Sequence, residues 1–206
     1  ASGQDYEVRY TIEVSCDLYL YLDHVLEPPE EVRSAIDQGQ KSPRIPVSAG
    51  DLLGLHADGF KVDLSVVDLS RGEVDGFVFN ESYFDGNYGE PFKLFERDSF
   101  EYFEEPLRTQ LAEKSLRTAE PRGGKFTYDV DGTAQGNWFR EGTNGYVGGY
   151  DNLPLTYYWV GHLAMIPFNI DPSKLRVAMG DGFAGGEMAS VWGVTGHSPP
   201  FDSVTP

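Results

Sequence analysis

Histidine is the first residue type to examine, because imidazole serves both as a metal ligand and as a general base near neutral pH. The chain has four histidines, His24, His56, His162 and His197. No two of them stand two residues apart, as on one face of a strand, or four apart, as on one face of a helix. The sequence therefore contains no local zinc motif, and a metal site would need ligands from distant segments.

A second candidate for ion binding is the segment Asp129-Val-Asp131-Gly-Thr133, which carries side-chain oxygens on alternate residues. Such a pattern is typical of the front of a calcium loop, but a complete loop needs a bidentate Glu at its twelfth position. That position is Arg140 in this chain. We therefore interpret the segment as an Asp-Gly β-turn.

Three stretches near the start of the chain have the pattern of strands and turns. Residues 19–25 indicate a strand that ends at Asp23 and His24, and residues 47–54 indicate a tight turn between Gly50 and Gly54. Residues 61–66 alternate apolar and polar side chains, which is the period of a half-buried strand.

In this order the three stretches resemble the second half of the lysostaphin-type zinc endopeptidase domain, a β-fold that cleaves bacterial peptidoglycan cross-links. That family has an aromatic-x-His-Leu strand end, a Val-x-x-Gly-Asp-x-Ile-Gly turn and a His-x-His strand. Residues 21–25 take the first place and residues 47–54 match the turn, but Lys61-Val62-Asp63 stands where the family has two histidines. The resemblance covers roughly a quarter of the chain and implies the scaffold without most of its zinc ligands.

The resemblance also implies which polar residues converge, since the family's fold brings these segments together. The candidate cluster is Asp23, His24, His56, Asp58 and Asp63. Only His24 matches the family's metal and catalytic set by residue type. We therefore expect no cofactor, and we keep zinc or calcium as an alternative hypothesis.

Aromatic residues suggest a different kind of site. Seven of them lie among acidic residues and glycines between positions 84 and 104, and glycines at 142, 145, 148 and 149 indicate a tightly turned loop. We interpret the first segment as irregular chain anchored by its rings. The alternative is a sugar- or protein-binding surface, with Tyr88, Tyr146, Tyr150 and Trp159 as the candidate ligand-binding aromatics.

Composition restricts the partners. The net charge of −17 repels nucleic acid and anionic lipid, and no apolar run is long enough for membrane insertion. A protein or glycan partner, or further copies of the chain, remains. The single cysteine, Cys16, is expected to be a small buried residue. The family resemblance and a start at Ala-Ser-Gly-Gln favour an extracellular, periplasmic or cell-envelope location.

Hydrophobic periodicity predicts an all-β, mainly antiparallel fold. We expect a lysostaphin-like β lobe with an aromatic and acidic extension over residues 1–104, a connecting helix and linker over 105–124, and a C-terminal β-sandwich or half-barrel lobe over 125–206. Strands are predicted at 6–14, 18–22, 61–66, 74–83, 126–130, from 136, at 157–165 and at 175–179, and helices at 30–38 and 105–117.

Three functions are compatible with these observations. The first is an exported, non-catalytic binding or structural module that has kept a peptidase-like scaffold and that assembles with itself or another partner. The second is a metal-dependent hydrolase with a rearranged site around His24, His56 and Asp63. The third is a carbohydrate- or small-ligand-binding module. The missing ligands favour the first.

Overall fold

The computed structural model describes residues 6–55, 61–79, 90–147, 161–180, 190–195 and 200–205. The chain forms two compact units, Ala1–Ser70 and Arg71–Pro206. The described strands pair antiparallel throughout, so the predicted mainly antiparallel β class is confirmed.

The first unit is built on three antiparallel strands, β1 (Glu7–Glu13), β2 (Leu18–Leu26) and β3 (Asp63–Asp68), with β2 in the middle. Helix α1 (Glu30–Asp37) follows β2. Val66 and Val67 are 1% and 2% exposed. Because successive strand residues point to opposite faces, both faces of β3 are covered there.

The predicted turn at 47–54 returns the chain to the end of β2. Leu26 and Leu55 exchange two backbone hydrogen bonds, of 3.0 and 2.7 Å, and the Tyr10 hydroxyl donates to the Leu53 carbonyl at 2.6 Å. A Cβ atom at Gly54 would stand 2.4 Å from Val25 Cγ1 and 2.5 Å from the Leu26 carbonyl oxygen. Glycine is therefore required at this close approach.

The hairpin between β1 and β2 corrects one expectation. Val14 and Ser15 both donate backbone hydrogen bonds to the Leu18 carbonyl, and residues 14–17 are all exposed. Cys16 lies in that turn and is exposed, so the expectation of a buried thiol is wrong. A turn this tight leaves its central side chains no core to enter.

The second unit contains the other sheet, a meander in the order β5-β6-β7-β8. Its elements are β4 (Glu96–Arg97), α2 (Leu107–Lys114), β5 (Gly136–Phe139), β6 (His162–Pro167), β7 (Leu175–Met179) and β8 (Ser190–Gly193). Short 3₁₀ helices lie at Leu69–Arg71, Pro91–Phe95, Ser99–Tyr102, Gly145–Val147 and Phe201–Ser203. Leu94 is completely buried.

Helix α2 forms where a helix was predicted, but it buries no residue. Leu107, whose one-turn spacing from Leu111 favours an apolar face, is 46% exposed, and Leu116, which follows the helix, is 78% exposed. The helix lies within the second unit. It is followed by Arg117, which is only 5% exposed and donates to the backbone carbonyls of Glu120, Pro121 and Asn169.

Two predicted strands are absent from the described residues. Residues 126–130 form no strand, because Thr127 and Tyr128 are both buried and the expected alternation of faces is lost. Residues 74–79 form none either, and the rest of that predicted strand lies outside the described part. The predicted strand at 157–165 is seen from His162 onward as β6.

Candidate functional site

A β-bulge shapes the site around His24. Val8 pairs with Val25 and Tyr10 pairs with Leu22, so Arg9 alone lies opposite both Asp23 and His24. His24 has a φ of 61°, the left-handed conformation that β-bulges and turns use. The bulge re-aims the imidazole away from the regular alternation of β2.

The bulge brings three carboxylates to two basic side chains. His24 Nδ1 lies 2.5 Å from Glu7 Oε1, and His24 Nε2 lies 3.9 Å from Asp63 Oδ2. Asp23 forms a salt bridge with Arg9 through Arg9 Nη2 and accepts a 2.8 Å hydrogen bond from Nε. Asp23 also lies directly opposite Asp63 in the β2–β3 register. Two carboxylates opposite each other repel, and the basic groups offset that repulsion.

The pKa values of the cluster follow from these contacts. The pKa of His24 is raised, first by the hydrogen bond to Glu7 and then by the charges of Asp23, Glu7 and Asp63, while desolvation acts to lower it. Desolvation acts to raise the pKa of Asp23, but the hydrogen bonds from Arg9 and the His24 backbone together lower it. His24 is therefore biased towards imidazolium and Asp23 towards carboxylate.

The described residues of the cluster do not by themselves form a metal site. Among the described residues, no group of three or more His, Cys, Asp or Glu side chains is arranged to hold one. His24 directs one ring nitrogen to Glu7 and the other towards Asp63. A metal ligand must be a neutral imidazole with a lone pair facing the ion.

The structure thus brings together three of the five predicted cluster residues, Asp23, His24 and Asp63. The other two, His56 and Asp58, lie outside the described residues. Sequence reasoning missed Glu7 and Arg9, which it placed only within the predicted strand at 6–14. Folding the hairpin back on its short turn would have placed them beside Asp23 and His24.

A second histidine site lies in the second unit, at the start of β6. His162 Nε2 is 2.9 Å from Asn137 Oδ1 on β5. The Asn137 side-chain amide donates to Asp129 Oδ1 at 2.7 Å, and its backbone N–H donates to the same oxygen at 2.9 Å. Asp129 Oδ2 accepts from the Val78 backbone at 3.1 Å. These contacts form a hydrogen-bonded chain from Asp129 through Asn137 to His162.

The Asp129 contacts bear on the calcium-loop pattern. Both carboxylate oxygens accept protein hydrogen bonds, and Thr133 donates its hydroxyl and its backbone N–H to the Val130 carbonyl. Gly132 has a φ of 72°. The segment is a β-turn, in agreement with the simpler interpretation.

Around this chain lies a group of rings that we call the aromatic cluster: Phe77, Phe126, Phe139, Tyr146 and His162. His162 stacks on Phe139 with centroids 4.9 Å apart, and the edge of Tyr146 meets both rings, at 4.6 Å from Phe139 and 6.0 Å from His162. Phe77 joins Tyr146 to Phe126 at 5.6 and 5.5 Å. Each of the rings is half-buried.

The environment of His162 lowers its pKa to about 4, first through burial and then through the positive charge of Lys93. It is therefore a neutral imidazole at neutral pH. Of the predicted ligand-binding aromatics, Tyr146 packs in the aromatic cluster, while Tyr88, Tyr150 and Trp159 lie outside the described residues. Their binding role stays a prediction.

In the described part of the chain, no helix has both the length and the apolar character needed to cross a membrane.

Comparison with known proteins gives the chain no family. No protein-family model, no curated protein and no solved structure matches it.

Proposed function

We propose that this chain is an exported, non-catalytic β protein that acts as a binding or structural module outside the cell or in the cell envelope. The observation that supports the proposal best is the set of contacts made by the His24 ring. It is the one residue that matches the catalytic set of the lysostaphin-type family, and both of its ring nitrogens face carboxylates.

The chemistry of that arrangement argues for an ion-pair role. A histidine between Glu7 and Asp63 is stabilised as imidazolium, and an imidazolium has no lone pair with which to bind zinc or to accept a proton. Arg9 and Asp23 add a second ion pair on the same bulge. In this interpretation the cluster fixes the local shape of a β scaffold.

The proposed partner is a protein, a glycan or a further copy of the chain. A net charge of −17 favours a partner with a basic or neutral surface, since like charges repel at close range. Sedimentation velocity over a range of concentrations tests self-association. A glycan array tests sugar binding, and an array without signal above background would remove the glycan partner.

The decisive experiment measures zinc content by mass spectrometry and hydrolysis of purified peptidoglycan by the same preparation. We expect zinc far below one equivalent and no cleavage. Glu7→Gln is a matched variant, because it removes the carboxylate on Nδ1 and leaves the imidazole in place. Stoichiometric zinc with cleavage in the unaltered chain would overturn the proposal.

The second candidate is a metal-dependent hydrolase with a rearranged site around His24, His56 and Asp63. One observation favours it: Glu7 Oε1 lies 2.5 Å from His24 Nδ1, and a carboxylate that accepts a hydrogen bond from Nδ1–H is the usual partner that orients a metal-binding histidine. His24 Nε2 and Asp63 would then need ligands from beyond the described residues. This candidate predicts that His24→Ala abolishes both metal uptake and turnover, and unchanged metal binding would rule it out.

A further inference from the structure

Strand β8 forms one edge of the second sheet, and among the described strands it pairs only with β7. Val194 donates its backbone N–H to the Leu175 carbonyl at 3.1 Å, so the backbone of Val194 faces β7. The backbone groups of successive strand residues point to opposite sides. Val191 and Gly193 therefore direct their N–H and C=O groups away from the sheet.

The side chains of this edge are apolar and exposed. Val191 and Trp192 are 68% and 48% exposed, and Gly193 is exposed as well. Residues 190–195 read Ser-Val-Trp-Gly-Val-Thr and carry no charge. In a chain with a net charge of −17, an uncharged edge is a surface at which two copies can approach without opposing carboxylates.

The edge strand β1 of the first unit has the opposite character. It carries the charged residues Glu7, Arg9 and Glu13, and a bulge between Val8 and Tyr10 interrupts its regular pairing. Charged side chains and bulges are the devices that keep an edge strand from pairing with another chain. Strand β1 is therefore protected against a second copy.

The other edge of the second sheet, β5, is protected by Asp129. The outward backbone N–H of Asn137 donates to Asp129 Oδ1 at 2.9 Å, and Asp129 Oδ2 accepts from the Val78 backbone at 3.1 Å. A strand added beside β5 would have to displace this carboxylate. Of the three edges compared, only β8 has neither charged residues nor such a cap.

We propose that β8 is the contact edge of a symmetric dimer, in which it pairs antiparallel with β8 of a second copy. A two-fold axis at Trp192 sets Val191 of each copy opposite Gly193 of the other. Because both residues have outward backbone groups, each such pair exchanges N–H···O bonds in both directions. The two Trp192 side chains then form the closely spaced cross-strand pair, in which aromatic side chains stabilise a sheet.

Arg176 on β7 fits this register. Gly193 lies opposite Arg176, and a Cβ atom at position 193 would stand 2.7 Å from Arg176 Nη1. Glycine leaves room there for the guanidinium beside the second copy's Val191. By ordinary sheet spacings the Cα atoms of the two Arg176 residues would be about 16 Å apart, roughly twice the screening length at physiological salt. Their mutual repulsion is therefore weak.

This inference rests on the proposed function and narrows its partner to a further copy of the chain. The contact is short, so the dimer should dissociate in the micromolar range. High salt should strengthen it, because salt screens the repulsion between two chains of net charge −17. Sedimentation velocity of the full chain from micromolar to millimolar concentration, at low and high salt, measures both effects.

A chain that stays monomeric throughout would overturn the proposal and leave this edge to a strand of another protein. That outcome is distinct from a failure of the proposed function, which zinc content and peptidoglycan cleavage test separately. Weaker association at high salt would also contradict the uncharged contact.

Val191→Lys locates the interface. It places like charges within the contact, so the dissociation constant should rise roughly 100-fold. Val14→Lys is the matched control, since it makes the same change at a valine that is 57% exposed in the β1–β2 turn. Its dissociation constant should stay within about threefold of the unaltered chain. Equal effects of the two variants, or none from Val191→Lys, would refute the proposal.

Val191→Pro tests the backbone bonds without adding charge. Proline removes an N–H that points out of the sheet, and edge strands tolerate proline at such positions. We expect an unchanged circular dichroism spectrum and loss of the dimer. A dimer that persists in this variant would show that β8 does not pair with a second copy.

Discussion

His24 in the first unit and His162 in the second both belong to antiparallel strand pairs, yet their surroundings shift the pKa of the imidazole in opposite directions. His24 is 45% exposed and has carboxylates facing both ring nitrogens. His162 is partly buried against aromatic rings and meets a neutral amide and the field of Lys93. The first environment favours the charged ring, and the second favours the neutral one.

The difference shows that neighbours on the paired strand decide the protonation state of a histidine. Glu7 reaches His24 from the paired strand β1, and Asn137 reaches His162 from the paired strand β5. Neither partner is adjacent in sequence. The same type of side chain therefore serves as an ion-pair partner in the first unit and as a packed ring in the second.

The largest effect is expected from removing Asp129, the carboxylate that anchors the hydrogen-bonded chain to His162. Asp129→Ala deletes the acceptor for Val78 and for both Asn137 donors. Since hydrogen bonds to a charged group are the costly ones to lose, we expect a loss of roughly 4 kcal/mol in the unfolding free energy of the second unit. Urea unfolding followed by tryptophan fluorescence measures it.

Asp131→Ala is the matched control for that variant, because Asp131 is an exposed residue of the same turn. Its effect should stay within about 0.5 kcal/mol. Similar losses in the two variants would mean that the loss does not come from the hydrogen bonds of Asp129, and the role of Asp129 as an anchor would be refuted.

The pH dependence of the two units should have opposite signs. The pKa of His24 is raised in the folded state, so its stabilisation is complete below the ordinary value of 6.5 and is lost as pH rises through the folded pKa. The pKa of His162 is lowered to about 4, so the second unit should lose about 3 kcal/mol as pH falls from 7 to 4. Hydrogen exchange of β1–β3 and of β5–β8 amides separates the two responses.

A shared loss of protection below pH 6 would contradict this prediction. The variant His162→Gln should flatten the acid limb of the second unit and leave the first unit unchanged. This distinguishes the histidine from the many carboxylates that titrate in the same range.

The smallest expected effect compares two carboxylates at one histidine. Glu7 lies 2.5 Å from Nδ1 and Asp63 lies 3.9 Å from Nε2. Glu7→Gln should therefore lower the pKa of His24 more than Asp63→Asn does, as read from NMR titration of the ring. Glu13→Gln is the control, since Glu13 lies on the same strand as Glu7 but forms its salt bridge with Arg44. A larger effect from Asp63→Asn would mean that the ring of His24 interacts more strongly with Asp63 than with Glu7, which would contradict the described geometry.

Much of the fold could be predicted from the sequence, because alternation of apolar and polar side chains identifies β1 and the first part of β3. Asp23 and His24 were also identified, from a polar pair that ends an apolar strand. The bulge could not be predicted. It depends on a one-residue mismatch between β1 and β2, which leaves no pattern within either strand.

The second site was not predicted for a different reason. Asp129 was assigned to a turn, Asn137 to a strand opening and His162 to a predicted central strand, and no motif joins them. Their contact depends on β5 pairing with β6 across more than twenty intervening residues. Helix α2 shows the reverse error, because the spacing of Leu107 and Leu111 suggested a buried face, whereas Leu107 is 46% exposed and the helix buries no residue.

The buried guanidinium of Arg117 has a consequence for substitution in this protein. Its fork binds three backbone carbonyls in two irregular stretches, those of Glu120 and Pro121 in one and that of Asn169 in the other. A lysine carries one compact ammonium and cannot reach three divergent carbonyls in a plane. Among natural or engineered variants of this chain, position 117 should therefore admit arginine and refuse even its nearest chemical substitute.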